Sequence, residues 1–309
     1  MSPRASLLLA VALAAVPAGA SAAGLQILRR TLSARAASMA DAFTAVPGGL
    51  DSLEANPAGL TASTRTEVGT SFASGVLDDT FGFLGAARPL PLGVMAAGVS
   101  YYDAGKVDLH FTGGGTSVRT AQRDFVGHFA WAVPLPGGLS AGATLKPWRS
   151  ELAQEAKASG MAADFGAQWK TPVPGLVLGA SYANAGSGVR YEQETEQLPS
   201  AARGGASWSW TGAPAKEIES SIASSRALVS AEAIKERDLK TAAALGAEVG
   251  LRFFSDAEAA VRAGWTLNSD AARLNVGVGL REGRWALDYA LDEKRTLGAT
   301  HHVGFGVKF

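Results

Sequence analysis

The residues most able to do chemistry in this 309-residue chain are four histidines, His110, His128, His301 and His302, and there is no cysteine. His301 and His302 adjoin, so in a strand they point to opposite faces, and no other pair has the spacing of metal ligands. Without cysteine there is no thiolate site, no disulfide and no lipid-modified cysteine. Serine and aspartate are plentiful but no nucleophile motif surrounds them. Gly113-Gly114-Gly115 lacks the lysine and helix of a phosphate loop. No catalysis, metal or cofactor is expected. What remains is a set of isolated charges among glycines and small residues: Lys146, Asp164, Glu248, Arg252, Arg262, Arg281, Asp288 and Lys308. Their mixed signs suit charges that pair with one another inside a confined space, and the alternative is a charged pore lining.

The elements that carry these charges repeat one pattern. In the last nine residues, Val303, Phe305, Val307 and Phe309 share one face, and His302, Gly304, Gly306 and Lys308 share the other. The same opposition recurs at 272–282, where Leu274, Val276, Val278 and Leu280 face away from Asn275, Gly277, Gly279 and Arg281. A soluble sandwich would expose long polar side chains on its second face. Here that face is glycine with isolated charges, as in a barrel with lipid outside and protein inside. Candidate strands are 66–76, 79–89, 92–103, 121–134, 138–149, 159–171, 175–186, 201–211, 225–235, 239–253, 257–268, 272–282, 284–293 and 298–309. Residues 225–235 are the weakest of these strands, with helix continuous with residues 217–225 as the alternative, and the even strand count of closed bacterial barrels argues for a strand. The last strand should then pair with the first, near Thr66–Gly75. Trp131, Trp169, Trp265, Trp285, Tyr101 and Tyr182 fall on the outer phase, where headgroup-level aromatic girdles belong.

The start of the chain gives the address. Arg4, the apolar run Leu7 to Val16 and the small residues Ala18 to Ala23 form a secretory signal peptide, with cleavage expected after Ala22 or Ala23. The apolar run is too short for a membrane anchor. Three units follow: 1–23 signal peptide, 24–65 N-terminal segment, 66–309 barrel. Formal net charge is zero and 18% of residues are charged, so bulk electrostatics suggest no nucleic-acid partner. Short proline-rich turns alternate with longer polar linkers at 103–120, 151–159 and 185–199, as periplasmic turns alternate with outer loops. The fairly long 212–224 stretch breaks that rule and is expected to hold a short helix.

Residues 24–65 are rich in small side chains and show little alternation. They are expected to sit in or under the barrel as a hatch or plug, with Asn56 near the Gly246 wall. Ser52 is expected to cap a short helical turn that Pro57 ends.

The block Arg35-Ala36-Ala37-Ser38-Met39-Ala40-Asp41-Ala42-Phe43-Thr44-Ala45, followed by Asn56-Pro57-Ala58-Gly59-Leu60, resembles the N-terminal signature of the PorV/PorQ-like outer-membrane proteins. More distantly the chain resembles the FadL hydrophobic-compound transport family. Ser38-Met39-Ala40 stands where such proteins usually carry glycines beside the methionine. The resemblance implies a fourteen-stranded outer-membrane barrel with an N-terminal hatch, marked by Arg35, Met39, Asp41, Phe43, Asn56, Pro57, Ala58 and Gly59. It also implies that Phe309 is the C-terminal aromatic read by the barrel assembly machinery. Two functions follow from it. One is passage of small hydrophobic compounds across the outer membrane. The other is a secretion-associated or scaffold barrel of the PorV kind, binding a secreted protein. Outer-membrane lipid is a partner in both.

Overall fold

A strand with one oily face and one small or polar face can bury neither alone, and fourteen in succession solve this by closing on themselves. In the computed structural model they form one closed antiparallel barrel. The structure describes residues 25–75, 79–110, 116–152, 156–191, 194–212, 222–253, 257–267, 273–294 and 298–309. The signal-peptide expectation lies outside these residues, as do 213–221 of the 212–224 stretch expected to hold a short helix; Gly212 and residues 222–224 belong to strands.

The strands in chain order are β1 (Glu67–Ser74), β2 (Thr80–Leu90), β3 (Gly93–Asp103), β4 (Lys106–His110), β5 (Thr116–Thr120), β6 (Gln122–Pro134), β7 (Leu139–Leu152), β8 (Ala156–Lys170), β9 (Leu176–Gly186), β10 (Val189–Tyr191), β11 (Glu194–Glu196), β12 (Ala201–Gly212), β13 (Ile222–Glu236), β14 (Ala242–Phe253), β15 (Ala257–Leu267), β16 (Arg273–Glu282), β17 (Trp285–Lys294) and β18 (Gly298–Lys308). The barrel uses all but β4, β5, β10 and β11. Residues 225–235 are strand, within β13. The wall closes where β1 meets β18, from Glu67 opposite Lys308 to Ser74 opposite His301. The Phe309 backbone N–H then donates to the Thr66 carbonyl at 2.9 Å.

Two linkers read as irregular hold short hairpins instead, β4 with β5 and β10 with β11. Neither is long enough for its alternation to stand out from a polar loop. In β7 the ladder to β6 passes from Trp148 opposite Val126 to Leu145 opposite Phe129, skipping Lys146 and Pro147. Proline has no N–H to offer there.

The barrel is inverted relative to a soluble protein. Val261 is 61% exposed and Val303 45%, whereas Glu248 is 2% exposed and Arg262 4%. Exposed valines over buried charges define a lipid-facing wall. No helix among the described residues is long and apolar enough to cross a membrane, and the strands do the spanning. Trp131, Trp169, Trp265, Trp285 and Tyr182 are exposed on the outer face, with Trp169, Trp265 and Trp285 near strand ends.

Candidate functional site

Residues 25–63 run the length of the wall's inner side. Near the long-loop end Arg29 pairs with Glu236 of β13 and Arg30 with Asp79, just before β2. Near the short-turn end the Leu50 N–H donates to Glu67 of β1 at 3.0 Å. Between them lie one turn of helix, α1 (Ala34–Ser38), and 3-10 turns at Gly49–Ser52 and Pro57–Ala62. Ser33 caps α1, its side chain accepting from the Ala36 N–H. The small residues of this segment let its backbone approach the wall closely, and wall glycines receive it. A Cβ on Gly264 would collide with the backbone at Met39 and Ala40, and one on Gly166 with the Asn56 side chain.

Asn56 is fully buried and its side chain makes four hydrogen bonds. Nδ2 donates to the carbonyls of Thr44 (2.8 Å), Ala167 (3.0 Å) and Ala180 (3.3 Å), and Oδ1 accepts from the Ala58 N–H at 3.0 Å. Two expectations fail here. Asn56 sits against β8 and β9, and Met39 is the residue facing Gly246. Nor does Pro57 end a turn capped by Ser52. Asn56 caps a turn in which Pro57 occupies the first position, where a missing N–H costs nothing. Ser52 instead accepts from the Gly48 N–H at 2.9 Å and donates to the Val46 carbonyl. Asn56→Ala should therefore weaken the seating of the segment by about 2 kcal/mol, since buried carbonyls lose their donor. A higher rate of trypsin cleavage at Arg35 in the folded barrel would register it.

The other motif residues cluster on the opposite side. Arg35 is buried and forks onto Glu248 of β14, Nε to Oε2 at 2.8 Å and Nη2 to Oε1 at 2.9 Å. Its guanidinium also lies 5.4 Å from the centre of the Phe43 ring. Burial opposes the Arg35 charge, and the Glu248 carboxylate outweighs it, holding the group above its ordinary range. Met39, Phe43 and Ala58 are buried, Met39 and Phe43 in a small apolar cluster with Val46 and Leu228 of β13. Asp41, with positive φ, accepts from the Thr31 hydroxyl at 2.8 Å. Gly59 packs on Ser52, leaving no room for a Cβ.

Glu248 is a hub. Arg262 of β15 reaches it at 2.6 Å and Arg226 of β13 at 2.8 Å, in addition to Arg35. Arg262 continues to Asp288 at 2.7 Å, and Arg226 to Glu258, with Arg281 3.6 Å from Glu258. A second group joins Lys146 to Asp164 at 2.6 Å and to Asn184, whose N–H donates to Asp164. Lys308 is half exposed at the rim, 2.9 Å from Glu67, and Arg252 is exposed near the end of β14. The structure thus joins inward charges of β13 to β17 into one group and those of β7 and β8, with Asn184 of β9, into a second, while Lys308 pairs with Glu67 at the rim.

Sequence reasoning missed Arg226 and Glu232, because their strand was the one read as ambiguous. Glu232 accepts from the Thr44 N–H at 2.9 Å and pairs with Arg203 at 3.4 Å. It also missed Ser181 and Ser207, and gave Asn275 an inward face but no partner; their side chains donate at 2.7 Å to the carbonyls of Ala55, Ala45 and Ala37. Inward phase would have found them, but hydroxyls and amides stand out less than charges.

Glu54 lies half-buried with Arg203 4.0 Å away and accepts from the Leu32 N–H. Burial raises its pKa to about 7, Arg203 pulling it down and Asp41 adding to the rise. A carboxyl with a raised folded pKa binds its proton more tightly in the folded state, so stability is greatest below the unfolded value and declines as pH climbs to about 7. The decline amounts to about 3 kcal/mol at 1.36 kcal/mol per unit. Glu54→Gln should remove this contribution, so that the urea midpoint in vesicles falls less between mildly acid and mildly alkaline pH than in wild type.

Between the segment and the wall at the short-turn end lies a cavity of about 300 Å³, lined by residues of β1, β17 and β18 and by residues 32–35 and 47–51. Among the described residues no group of three His, Cys, Asp or Glu side chains is placed to hold a metal.

These features define a class: a transmembrane antiparallel barrel of fourteen strands, of the outer-membrane type, whose inner wall is bonded to its own N-terminal segment. Within that class, solved structures of hydrocarbon transporters share the fold. The chain is similar to the Ralstonia pickettii toluene transporter TbuX, at 12% identity and TM-score 0.55 over 85% of this chain and 94% of the other. It is similar to the P. putida toluene transporter TodX at 11% identity, TM-score 0.55 and the same coverage. A Pseudomonas aeruginosa FadL homologue aligns at 11% identity and TM-score 0.50, covering 91% and 99%. No protein-family model and no curated sequence matches the chain.

Proposed function

We propose that this protein passes small hydrophobic compounds across the outer membrane, with residues 24–65 as a hatch in the lumen. The observation that carries this reading is the seating of residues 25–63. They bond to strands around the whole wall, yet a cavity remains beside them. A segment seated in this way narrows the path for water and ions, and solutes that need neither are the ones such a path favours. The toluene transporters among the similar structures support the same reading through shared fold. In it the signal peptide is removed near Ala22 or Ala23, the short turns face the periplasm, and Phe309 engages the barrel assembly machinery. The inward charges hold the hatch and the wall together; no step of catalysis enters.

The test is uptake of a long-chain fatty acid and of a hydrophobic dye into vesicles with a lipopolysaccharide outer leaflet. Uptake well above empty vesicles is expected. Its absence, with a secreted protein co-purifying from cells, would replace transport with the PorV-like scaffold role that the Arg35-to-Leu60 block suggests.

A further inference from the structure

The lipid-facing wall does not present an even surface. On the outer face of β2, β3, β6, β7 and β8 lies a groove of about 690 Å³. Strand register makes it. Ala86 stands opposite Ala97, and Ala97 opposite Phe129; one step nearer the short turns, Ala143 stands between Trp131 and Phe165. Small and large side chains thus share a row on one face, and the large ones become the sides of a trough.

The trough is apolar except at one end. Among the described residues that line it, Arg88 alone is charged. Arg88 is the ninth of the eleven residues of β2, about 10 Å along the strand from its middle toward the short turn. From there a long side chain extends to the headgroup level. Arg88, Met95 and Trp131 are neighbours in register, which puts Arg88 and Trp131 two strand spacings apart, about 10 Å. The Trp131 indole nitrogen lies toward the same end, since a Cβ on Gly93, where β3 begins, would be 3.0 Å from Nε1.

The protein satisfies neither of these donors. Two other outer-face tryptophans, Trp169 and Trp208, donate to the short-turn carbonyls of Gly137 and Pro174 at 3.1 and 3.2 Å. Among the described residues none accepts from the Trp131 N–H, and none pairs with the Arg88 guanidinium. An unpaired cation at the edge of the lipid band draws an anion, and the guanidinium fork fits two oxygens of a phosphate. Beside it runs an apolar trough toward the midplane, several times the roughly 150 Å³ that holds one aromatic ring. A phosphate site at headgroup level that continues into an apolar trough matches a phospholipid and not a free phosphate.

We propose that this groove holds one anionic phospholipid of the periplasmic leaflet, its phosphate on Arg88 and Trp131 and an acyl chain along Ala97 and Ala143. The leaflet rests on the short turns facing the periplasm, as in the reading above; transport is not required. An ethanolamine headgroup brings its own ammonium to the phosphate and competes with Arg88, so a net anionic headgroup binds more tightly.

The test is native mass spectrometry of the protein extracted from outer membranes into detergent and titrated with phosphatidylglycerol, phosphatidylethanolamine or lipid A. Wild type, Arg88→Gln, Ala97→Phe and Arg149→Gln are compared, each confirmed as folded by heat-modifiable gel mobility. Arg149 is an exposed arginine of β7 toward the long-loop end, outside the groove, and controls for loss of charge. Wild type and Arg149→Gln should each bind one phosphatidylglycerol, about tenfold more tightly than Arg88→Gln or Ala97→Phe does. The first variant removes the anchor and the second fills the trough. Arg88 is exposed, so Arg88→Gln decides alone if Ala97→Phe does not fold. Unchanged binding in folded Arg88→Gln, or an equal loss in Arg149→Gln, overturns the site. Phosphatidylethanolamine bound as tightly as phosphatidylglycerol overturns the headgroup selectivity, and tighter binding of lipid A overturns the leaflet. A lipid-free dimer of wild type that Ala97→Phe splits would make the occupant a second copy of this chain and overturn the lipid.

Discussion

Replacing Glu248 with alanine should destabilise the protein by about 3–5 kcal/mol and loosen the N-terminal segment, as expected when one partner of a buried ion group is removed. Glu248 sits at the meeting point of Arg35, Arg226 and Arg262 and is 2% exposed. Without it Arg226 retains Glu258 and Arg262 retains Asp288. Among the described residues the ion pair left to Arg35 is the one with Asp51, 3.7 Å away, so most of the uncompensated charge falls on the N-terminal segment. Two measurements check this. The urea midpoint in vesicles should drop with the slope unchanged. Trypsin should cut at Arg29, Arg30 or Arg35 in barrels that still run as folded on a gel. Glu248→Gln keeps the volume and removes the charge, and should show most of the same loss. An unchanged midpoint with full protection from trypsin would mean that the hatch is held by its backbone contacts instead.

Val303→Arg should cost about 2–4 kcal/mol, the range for a cationic side chain at the bilayer midplane. Val303 is the sixth of the eleven residues of β18. It lies on the outer face between Phe72 of β1 and Tyr289 of β17. The matched control is Leu92→Arg. Leu92 is 77% exposed in the short turn between β2 and β3, so that arginine reaches water and should cost about 0–1 kcal/mol. Urea unfolding of both variants in vesicles separates the two positions. Equal costs would mean that Val303 does not lie at the centre of the lipid band.

The strands were legible because their cause is local. Residues such as Leu274, Val276 and Val278 must share a face whatever surrounds them, and Pro134 and Pro136 mark a turn by their own geometry. The even count even decided the ambiguous 225–235. The hatch was legible only as a kind of segment. Asn56 was visible as a turn residue beside a proline. That it caps that turn and reaches the carbonyls of Ala167 and Ala180 depends on which strand stands beside it. Gly246 and Gly166 look alike in the chain, and only packing assigns Met39 to one and Asn56 to the other.

The inward charges show the same division. Period-two phase alone put Glu248, Arg262 and Asp288 on the inner face, because side chains alternate along any strand. It could not supply Arg35, 213 residues away in the chain from Glu248. Pairings at that separation follow from barrel closure, which surrounds the N-terminal segment with strands far from it in the chain. Sequence therefore determined a lipid-facing outside, a small and charged inside, and where the chain turns. Tertiary structure decided which charges meet and how the hatch is turned.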